Sequence, residues 1–405
     1  MPEPDVRLRA LVVGGGMITQ EVILPTLFQE RRRGRIGEVL LASRRAATVR
    51  ACQEMFPGEQ LAGFPDPATS EPEASCPNAY LDALDCLGAE PALVVVATPD
   101  HLHTEVVLAA IERGHHCIVQ KPLCLKVAEA RAIRDAAREA GAYVLTDYHK
   151  RHDRAIRAAK TRFARGDLGE MLCGHAWIEE RREMPLRWFV RWCDQSSPFE
   201  YIGVHYADAY YFITGLLPRR LVAFGQRKWL PTVGKDAFDA VQAVIEWRDG
   251  SVLYIQTSWV LPDGETALTK QGLQLTGTQG EYWADHKDRH LYFCTQKSGF
   301  EHFNPNFFKG YVDPDDPARI EWVGYGYDSI LQGIKDVQRI VAETRGLEAA
   351  HALRRRRQML EALEPLRALP TQAIVGTAIN EAVRLSIAND SQYVAFDDAL
   401  TPLPQ

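Results

Sequence analysis

The stretch Leu93–Pro122, LVVVATPDHLHTEVVLAAIERGHHCIVQKP, reads as a strand, a helix and a second strand that together deliver one lysine, Lys121. Leu93–Ala97 is a continuous apolar run, as a parallel strand covered on both faces requires. Thr98-Pro99-Asp100 stops it, because proline has no amide donor and holds its predecessor extended. Val107, Ala110 and Ile111 then predict a helix over about Thr104–Arg113, closed by Gly114. Cys117–Val119 re-enters the sheet. In an open parallel sheet ligands bind at the carboxyl edge of the strands, so the turns Thr98–His103 and Gln120–Pro122 face a ligand crevice. Lys121 points at it.

Upstream, Leu8–Val13 reads as a buried strand that runs into Gly14-Gly15-Gly16-Met17-Ile18-Thr19 and a helix over about Gln20–Arg31. That is the order of a dinucleotide site: Gly14 permits the tight turn and Gly16 lets backbone approach a pyrophosphate, which Met17 and Ile18 would also border. Thr19 takes the third glycine position. Glycine triplets also occur in plain loops, so the strand and helix context decides the reading. A second strand, Val39–Ala42, ends in Ser43-Arg44-Arg45. An acidic residue at this strand end suits the ribose hydroxyls of NAD, whereas a 2′-phosphate wants a positive partner. Ser43 and Arg44 therefore lean to NADP, with NAD kept open. The bland alternative is that Arg44 and Arg45 are a solvated helix start. After a loop rich in proline, glutamate and serine, helices near Ala79–Leu87 and Ala128–Ala140 and a strand at Tyr143–Thr146 complete an α/β dinucleotide-binding (Rossmann) domain over residues 1–148.

The composition limits what such a chain does. It has 405 residues, 46% hydrophobic and 25% charged, enough for two domains with real cores. No apolar run reaches the roughly eighteen residues of a membrane span, and the N-terminus lacks a signal-peptide pattern, so a cytoplasmic protein is expected. Eight scattered cysteines without a C-x-x-C pair suggest neither a disulfide framework nor a metal site. A net charge of −6 offers no general attraction to nucleic acid. The expected partner is a small molecule.

Residues 149–405 read as an α+β domain with a large, mostly antiparallel open sheet. A basic helix over Arg151–Gly166 leads to a strand at Cys173–Glu179. Alternating segments follow at Leu221–Gln226, Ala240–Trp247, Val252–Trp259 and Leu273–Thr276, with Asp249-Gly250 as a hairpin turn. Before them lie Trp188, Arg191, Trp192 and Asp194, aromatic and charged groups on which a sugar ring could stack, or tryptophans that simply fill the base of the sheet. Asn304-Pro305-Asn306 and Gly324-Tyr325-Gly326 read as loops able to close over substrate, or as plain turns. Leu347–Leu369, with Arg354-Arg355-Arg356-Arg357, reads as a solvated or subunit-contacting helix, since consecutive residues spread around its axis.

Ala97-Thr98-Pro99 with His103, then Lys121-Pro122, then Gly203-Val204-His205-Tyr206-Ala207-Asp208 resemble the pattern of the glucose-fructose oxidoreductase, inositol dehydrogenase and rhizopine-catabolism (Gfo/Idh/MocA) family over nearly the full length. The resemblance implies an NAD(P)-dependent oxidoreductase acting on a secondary alcohol or ketone of a sugar, cyclitol or glycoside. It implies that Lys121 touches nicotinamide ribose and substrate hydroxyl, and that His205 is the acid/base. Thr98, Pro99, His103 and Gln120 would border the nicotinamide, and Trp192, Arg191, Asp194, Tyr206 and Asp208 the substrate. No metal is called for. It also implies a homodimer or homotetramer built through the second domain's sheet. Two departures matter. Gln120 replaces the usual glutamate of E-K-P and removes a negative charge beside the lysine. Tyr201 stands four before His205, where many members carry an aspartate. Tyr201 and Glu200, read as strand residues, would point to opposite faces, and Tyr201 is the choice. The chemistry stands apart from the resemblance: oxidising an alcohol leaves a hydroxyl proton, which histidine can take, and lysine can stabilise the alkoxide. Rival readings are a glycoside-cleaving enzyme that oxidises the ring transiently with a retained cofactor, and a non-catalytic nucleotide-sensing protein.

Overall fold

Six parallel strands organise the first half of the chain in the computed structural model, which describes residues 6–190 and 192–405. In chain order the elements are β1 (Leu8–Val13), α1 (Leu24–Arg32), β2 (Ile36–Ala42), α2 (Ala46–Met55), β3 (Ala62–Phe64) and α3 (Ala79–Leu87). β4 (Leu93–Val96), α4 (His103–Glu112), β5 (His116–Gln120), α5 (Val127–Ala140) and β6 (Val144–Asp147) follow. The strand order is β3-β2-β1-β4-β5-β6, with each neighbour pair parallel. The order reverses between β1 and β4, so the turns leaving those two strands sit side by side at the carboxyl edge. Every residue of β4 and of β5 is buried, which is why β4 and the middle of β5, Cys117–Val119, read as apolar runs. Burial of one such valine stabilises the fold by about 1.5–3 kcal/mol.

The expected helix after the glycine turn is present but opens with one π-helical turn, Thr19–Ile23, before α1 begins. Pro25 has no amide donor, and a change of ladder pattern just ahead of it accommodates that loss. The first compact unit comprises the residues up to Cys124, Ala128–His149 and Gly310–Ala373. The segment Gly310–Ala373, read from sequence with the second domain, thus lies with the first.

The second unit comprises Leu125–Val127, Lys150–Lys309 and Ile374–Gln405. It holds α6 (Arg154–Ala164), β7 (Met171–Arg181), α7 (Val204–Thr214), β8 (Pro218–Gln226), β9 (Ala240–Trp247), β10 (Val252–Leu261), β11 (Thr269–Gly277) and β12 (Glu281–Asp285). α6 starts at Arg154 rather than Arg151 because Asp153 caps it, its carboxylate accepting from the Ala155 amide at 2.9 Å. The sheet order is β12-β11-β7-β10-β9-β8, extended by short strands at Val394–Phe396 and Pro402–Pro404. β7 and β10 are parallel while the other described neighbours are antiparallel. Asp249-Gly250 joins β9 to β10 as expected, with Gly250 at φ +89. β9 alternates half-buried and buried residues along its whole length, so one face of the sheet is fully packed.

Three sequence expectations change. Glu200 and Tyr201 lie in a π-helical turn, Phe199–Gly203, not a strand, so the opposite-face argument falls. Pro198 stands just before this turn, and helical geometry continues directly into α7. Gly324-Tyr325-Gly326 is not a closing loop: Gly324 precedes α8 (Tyr325–Thr344), whose first residues are buried. Ser329, Gly333 and Asp336 belong to the inward face of α8, and a Cβ on Gly333 would lie 2.6 Å from the Ile118 side chain of β5. The arginine run lies on α9 (Ala349–Leu363) and is neither purely solvated nor reserved for a partner subunit. Arg357 donates to the carbonyls of Arg138 and Glu139, Arg356 to that of Ala140, and Arg355 pairs with Glu343. Two arginines therefore satisfy the open carbonyls at the C-terminus of α5, where positive charge is favoured.

Candidate active site

In the first unit the site is built on strand ends. Gly14 takes φ +108, and a Cβ there would sit 2.3 Å from the Ala97 carbonyl oxygen at the end of β4. Both facts demand glycine. Gly16 is exposed with nothing within 4 Å of an added Cβ, an open approach to the backbone. Thr19, at the third glycine position, is fully buried and donates to the Gly14 carbonyl at 2.6 Å, while Gln20 donates to that of Gly15 at 2.9 Å. The side chains at the helix start thus hold the turn from below. Met17 and Ile18 are half-buried at its rim. We expect Gly14→Ala to cost on the order of 1–3 kcal/mol and to abolish nucleotide binding, read by thermal melting with and without cofactor.

At the end of β2, Ser43 is half-buried and Arg44 is exposed, its Nε donating to Ser75 Oγ at 2.7 Å. Ser75 belongs to the loop that sequence reading assigned no role. Thr98 and Pro99 are half-buried after β4, and the Thr98 hydroxyl oxygen is buried with no hydrogen-bond partner among the described residues. The open Gly16 backbone and the unsatisfied Thr98 hydroxyl are what a bound dinucleotide needs, so the residues fit such a cofactor.

His103 was expected beside the nicotinamide. It is instead completely buried, with Nδ1 2.8 Å from the Pro122 carbonyl and Nε2 2.9 Å from the Thr98 carbonyl. With both nitrogens engaged behind the turns, it ties the end of β4 to the Lys121-Pro122 turn, whose peptide bond is cis. It is a positioning residue. Lys121 itself is 8% exposed, and Gln120 beside it donates to Asp147 Oδ2 at 2.8 Å. Asp147 Oδ1 accepts from Ser329 on α8. Burial pushes the Asp147 carboxyl up from its ordinary range, while Ser329, Gln120 and the Lys121 ammonium pull it back. Sequence reading missed both Asp147 and Ser329. Asp147 ends β6 directly across from Gln120, a pairing visible only once strand register is known.

In the second unit His205 occupies the first turn of α7, 4% exposed. A Cβ on Gly203 would fall 2.8 Å from Thr257 of β10 and 2.9 Å from Phe199, so glycine two residues ahead lets the helix start pack against the sheet. Tyr201 lies one helical turn before His205 and is half-buried among Phe189 (ring centroids 4.4 Å), Trp192 (5.4 Å) and Trp259 (6.2 Å). Glu200 is occupied elsewhere: its carboxylate pairs with Arg384 and its carbonyl accepts from Asn380. Trp192 is half-buried in that aromatic group and Asp194 is exposed, accepting from the Cys193 thiol at 3.3 Å. Arg191 lies outside the described residues.

The substrate roles expected for Tyr206 and Asp208 do not suit their surroundings. Tyr206 is fully buried, its hydroxyl 2.9 Å from His286 Nδ1 and its ring stacked on that imidazole. Asp208 accepts two hydrogen bonds from the buried Arg151 guanidinium, at 2.8 and 2.6 Å. Both are core groups, since neither has a surface to offer. Near Tyr206 lies Lys150, wholly buried against Gln271, which desolvation pushes down to about 8.

Residues 8–148 match the family model described as an oxidoreductase family with an NAD-binding Rossmann fold, and residues 156–283 match the Gfo/Idh/MocA C-terminal domain. The chain is 29% identical over 199 residues to 1,5-anhydro-D-fructose reductase of Ensifer adhaerens, covering 46% of this chain and 55% of that one. It is 27% identical over 197 residues to D-glucoside 3-dehydrogenase of Escherichia coli K12, covering 45% and 56%. The chain thus spans about half the length of the curated relatives it matches. In fold it resembles an inositol dehydrogenase homologue of Azotobacter vinelandii solved with NADH and myo-inositol, with a TM-score of 0.68, 18% identity, and 97% and 98% of the two chains covered. Two models of one family match in succession over most of the residues, so the protein belongs to the Gfo/Idh/MocA family.

Proposed function

We propose that the protein is an NAD(P)-dependent oxidoreductase that moves a hydride between the nicotinamide and a secondary alcohol or ketone of a sugar, cyclitol or glycoside. The observation that carries this reading is a nearly buried lysine fixed at the carboxyl edge of the same parallel sheet whose glycine turn fits a pyrophosphate. Gly14, Gly16, Met17 and Ile18 would hold the pyrophosphate, Ser43 and Arg44 the adenosine ribose or its phosphate, and Thr98, Pro99 and Gln120 the nicotinamide end. The cofactor supplies or accepts the hydride when bound. His205 takes the hydroxyl proton at its imidazole during oxidation and returns it during reduction. Lys121, at the carboxyl edge of the first unit's sheet, favours negative charge developing on a substrate oxygen. Tyr201 and Trp192 offer aromatic faces to a ring, with Asp194 lying between them in sequence as a polar group.

Arg44, already held by Ser75, favours NADPH. In a fluorescence titration we expect NADPH to bind more tightly than NADH, and Arg44→Ala to lose about tenfold in NADPH affinity alone. Tighter NADH binding would overturn the 2′-phosphate assignment.

The sheet of the second unit supports a homodimer or homotetramer. Leu172, Phe224 and Trp283 are exposed on its strands, and His175, Trp177 and Tyr254 form a half-buried aromatic row. Light scattering that finds a monomer would remove this reading.

A further inference from the structure

We propose that a cavity at the amino edge of the parallel sheet, lined by His116 and Arg356, binds a small monocarboxylate. The cavity has a volume of about 230 Å³ and lies among the segments that enter β4, β5 and β6, bordered also by Thr344 at the end of α8. All of its residues belong to the first unit, at the opposite ends of the strands from the glycine turn and Lys121. The proposal therefore stands apart from the oxidoreductase reading.

What the cavity leaves unspent are donors. His116, the first residue of β5, is 2% exposed, and its Nδ1 accepts from the Tyr143 amide at 3.0 Å. Burial, with Arg356 and His115 adding to it, pushes the imidazole down to about 3, so the ring is neutral at neutral pH. A neutral ring that accepts at Nδ1 carries its proton on Nε2, and that N–H has no partner among the described residues. Arg356 is half-buried, and one of its Nη atoms reaches the Ala140 carbonyl at a long 3.4 Å. It has no carboxylate partner among the described residues, unlike Arg355 beside it, which pairs with Glu343. Burial pushes its guanidinium down from the ordinary value, with no acid opposing the shift. Gly141, at φ +62, leaves room for this side chain: a Cβ there would lie 3.1 Å from Arg356 Cβ and 3.2 Å from its Nε.

The acceptors around the cavity are by contrast already used. At the end of α4 the carbonyls of Ala110 and Ile111 accept from the His115 and Gly114 amides; that of Ala137 in α5 accepts from Ala142, and that of Thr344 from Leu347. A ligand must then accept, and a guanidinium sharing the cavity with a second N–H suits a carboxylate. The helix ends carry partial negative charge, which disfavours a dianion against one guanidinium. Ala89, Pro91 and Ala142 supply apolar wall for a short carbon chain. Together these select an aliphatic monocarboxylate over phosphate.

The test is calorimetric titration of the full chain with sodium butyrate, butyramide and inorganic phosphate at one ionic strength. Butyrate should bind saturably at millimolar concentration or below, and butyramide, of the same shape without the charge, at least about tenfold more weakly. Arg356→Gln and His116→Asn should each weaken butyrate by about tenfold, the worth of a charge-assisted hydrogen bond. Asparagine can still accept from the Tyr143 amide, so the second variant removes only the donor. Arg357→Gln, which loses carbonyl contacts at the same helix end but does not line the cavity, should keep wild-type affinity. In NMR of nitrogen-labelled histidine, the His116 Nε2 signal of the unaltered protein, assigned by its loss in His116→Asn, should shift as butyrate is added. No saturable butyrate binding, an unmoved His116 signal, or phosphate binding more tightly than butyrate overturns the proposal, as does wild-type affinity in Arg356→Gln.

Discussion

His205→Ala should lower turnover by about a hundredfold or more, with nucleotide affinity unchanged. A positioned acid/base is typically worth about 10²–10⁴ in rate, and His205 is the residue proposed for that transfer. Its placement is built in from several directions: Gly203 lets the helix start pack on β10, and the π-helical turn carries the chain straight into α7. Because the residues proposed to hold the nucleotide belong to the first unit, loss should fall on the chemical step rather than on cofactor binding. Steady-state kinetics beside a cofactor titration separate the two. Lys121→Ala should fall by a similar factor. Wild-type kcat in either variant removes that residue from the mechanism.

Asp208→Ala should lower unfolding free energy by about 3–5 kcal/mol, the cost of leaving one member of a buried ion pair alone. Arg151 would be the stranded group, 7% exposed and set above the ring of Phe212 at 5.2 Å. Burial raises the Asp208 carboxyl, and the Arg151 guanidinium opposes that shift. The pair Arg151→Met with Asp208→Leu should cost much less than either single change, since neither charge is then unmatched. Denaturant unfolding measures all four proteins. If Asp208→Ala keeps its stability but loses substrate affinity, Asp208 faces substrate after all.

Apolar runs and glycines made the parallel sheet legible, because strands covered on both faces leave no polar interruption and Gly14 has no substitute at φ +108. The hairpin at Asp249-Gly250 was equally plain, since turn chemistry is local. What escaped was set by register and by groups distant in sequence. Asp147 gains meaning only opposite Gln120, and Ser329 only once α8 packs on β5 and β6. Tyr206 and Asp208 sit in the same short motif as His205, yet on a helix their directions diverge and the core claims both. Glu200 and Tyr201 were mistaken for strand because a π-helical turn has no sequence signature of its own. The arginines of α9 looked solvated because the carbonyls they cap lie more than two hundred residues away.

The central claim is tested most directly by incubating the purified protein with NADP and with NAD across a panel of sugars, cyclitols and glycosides, and following nicotinamide absorbance in both directions. The account predicts that at least one polyol yields reduced cofactor, that the matching ketone consumes it, and that Lys121→Ala and His205→Ala abolish both. Tight cofactor binding with no hydride exchange for any member of the panel would contradict it.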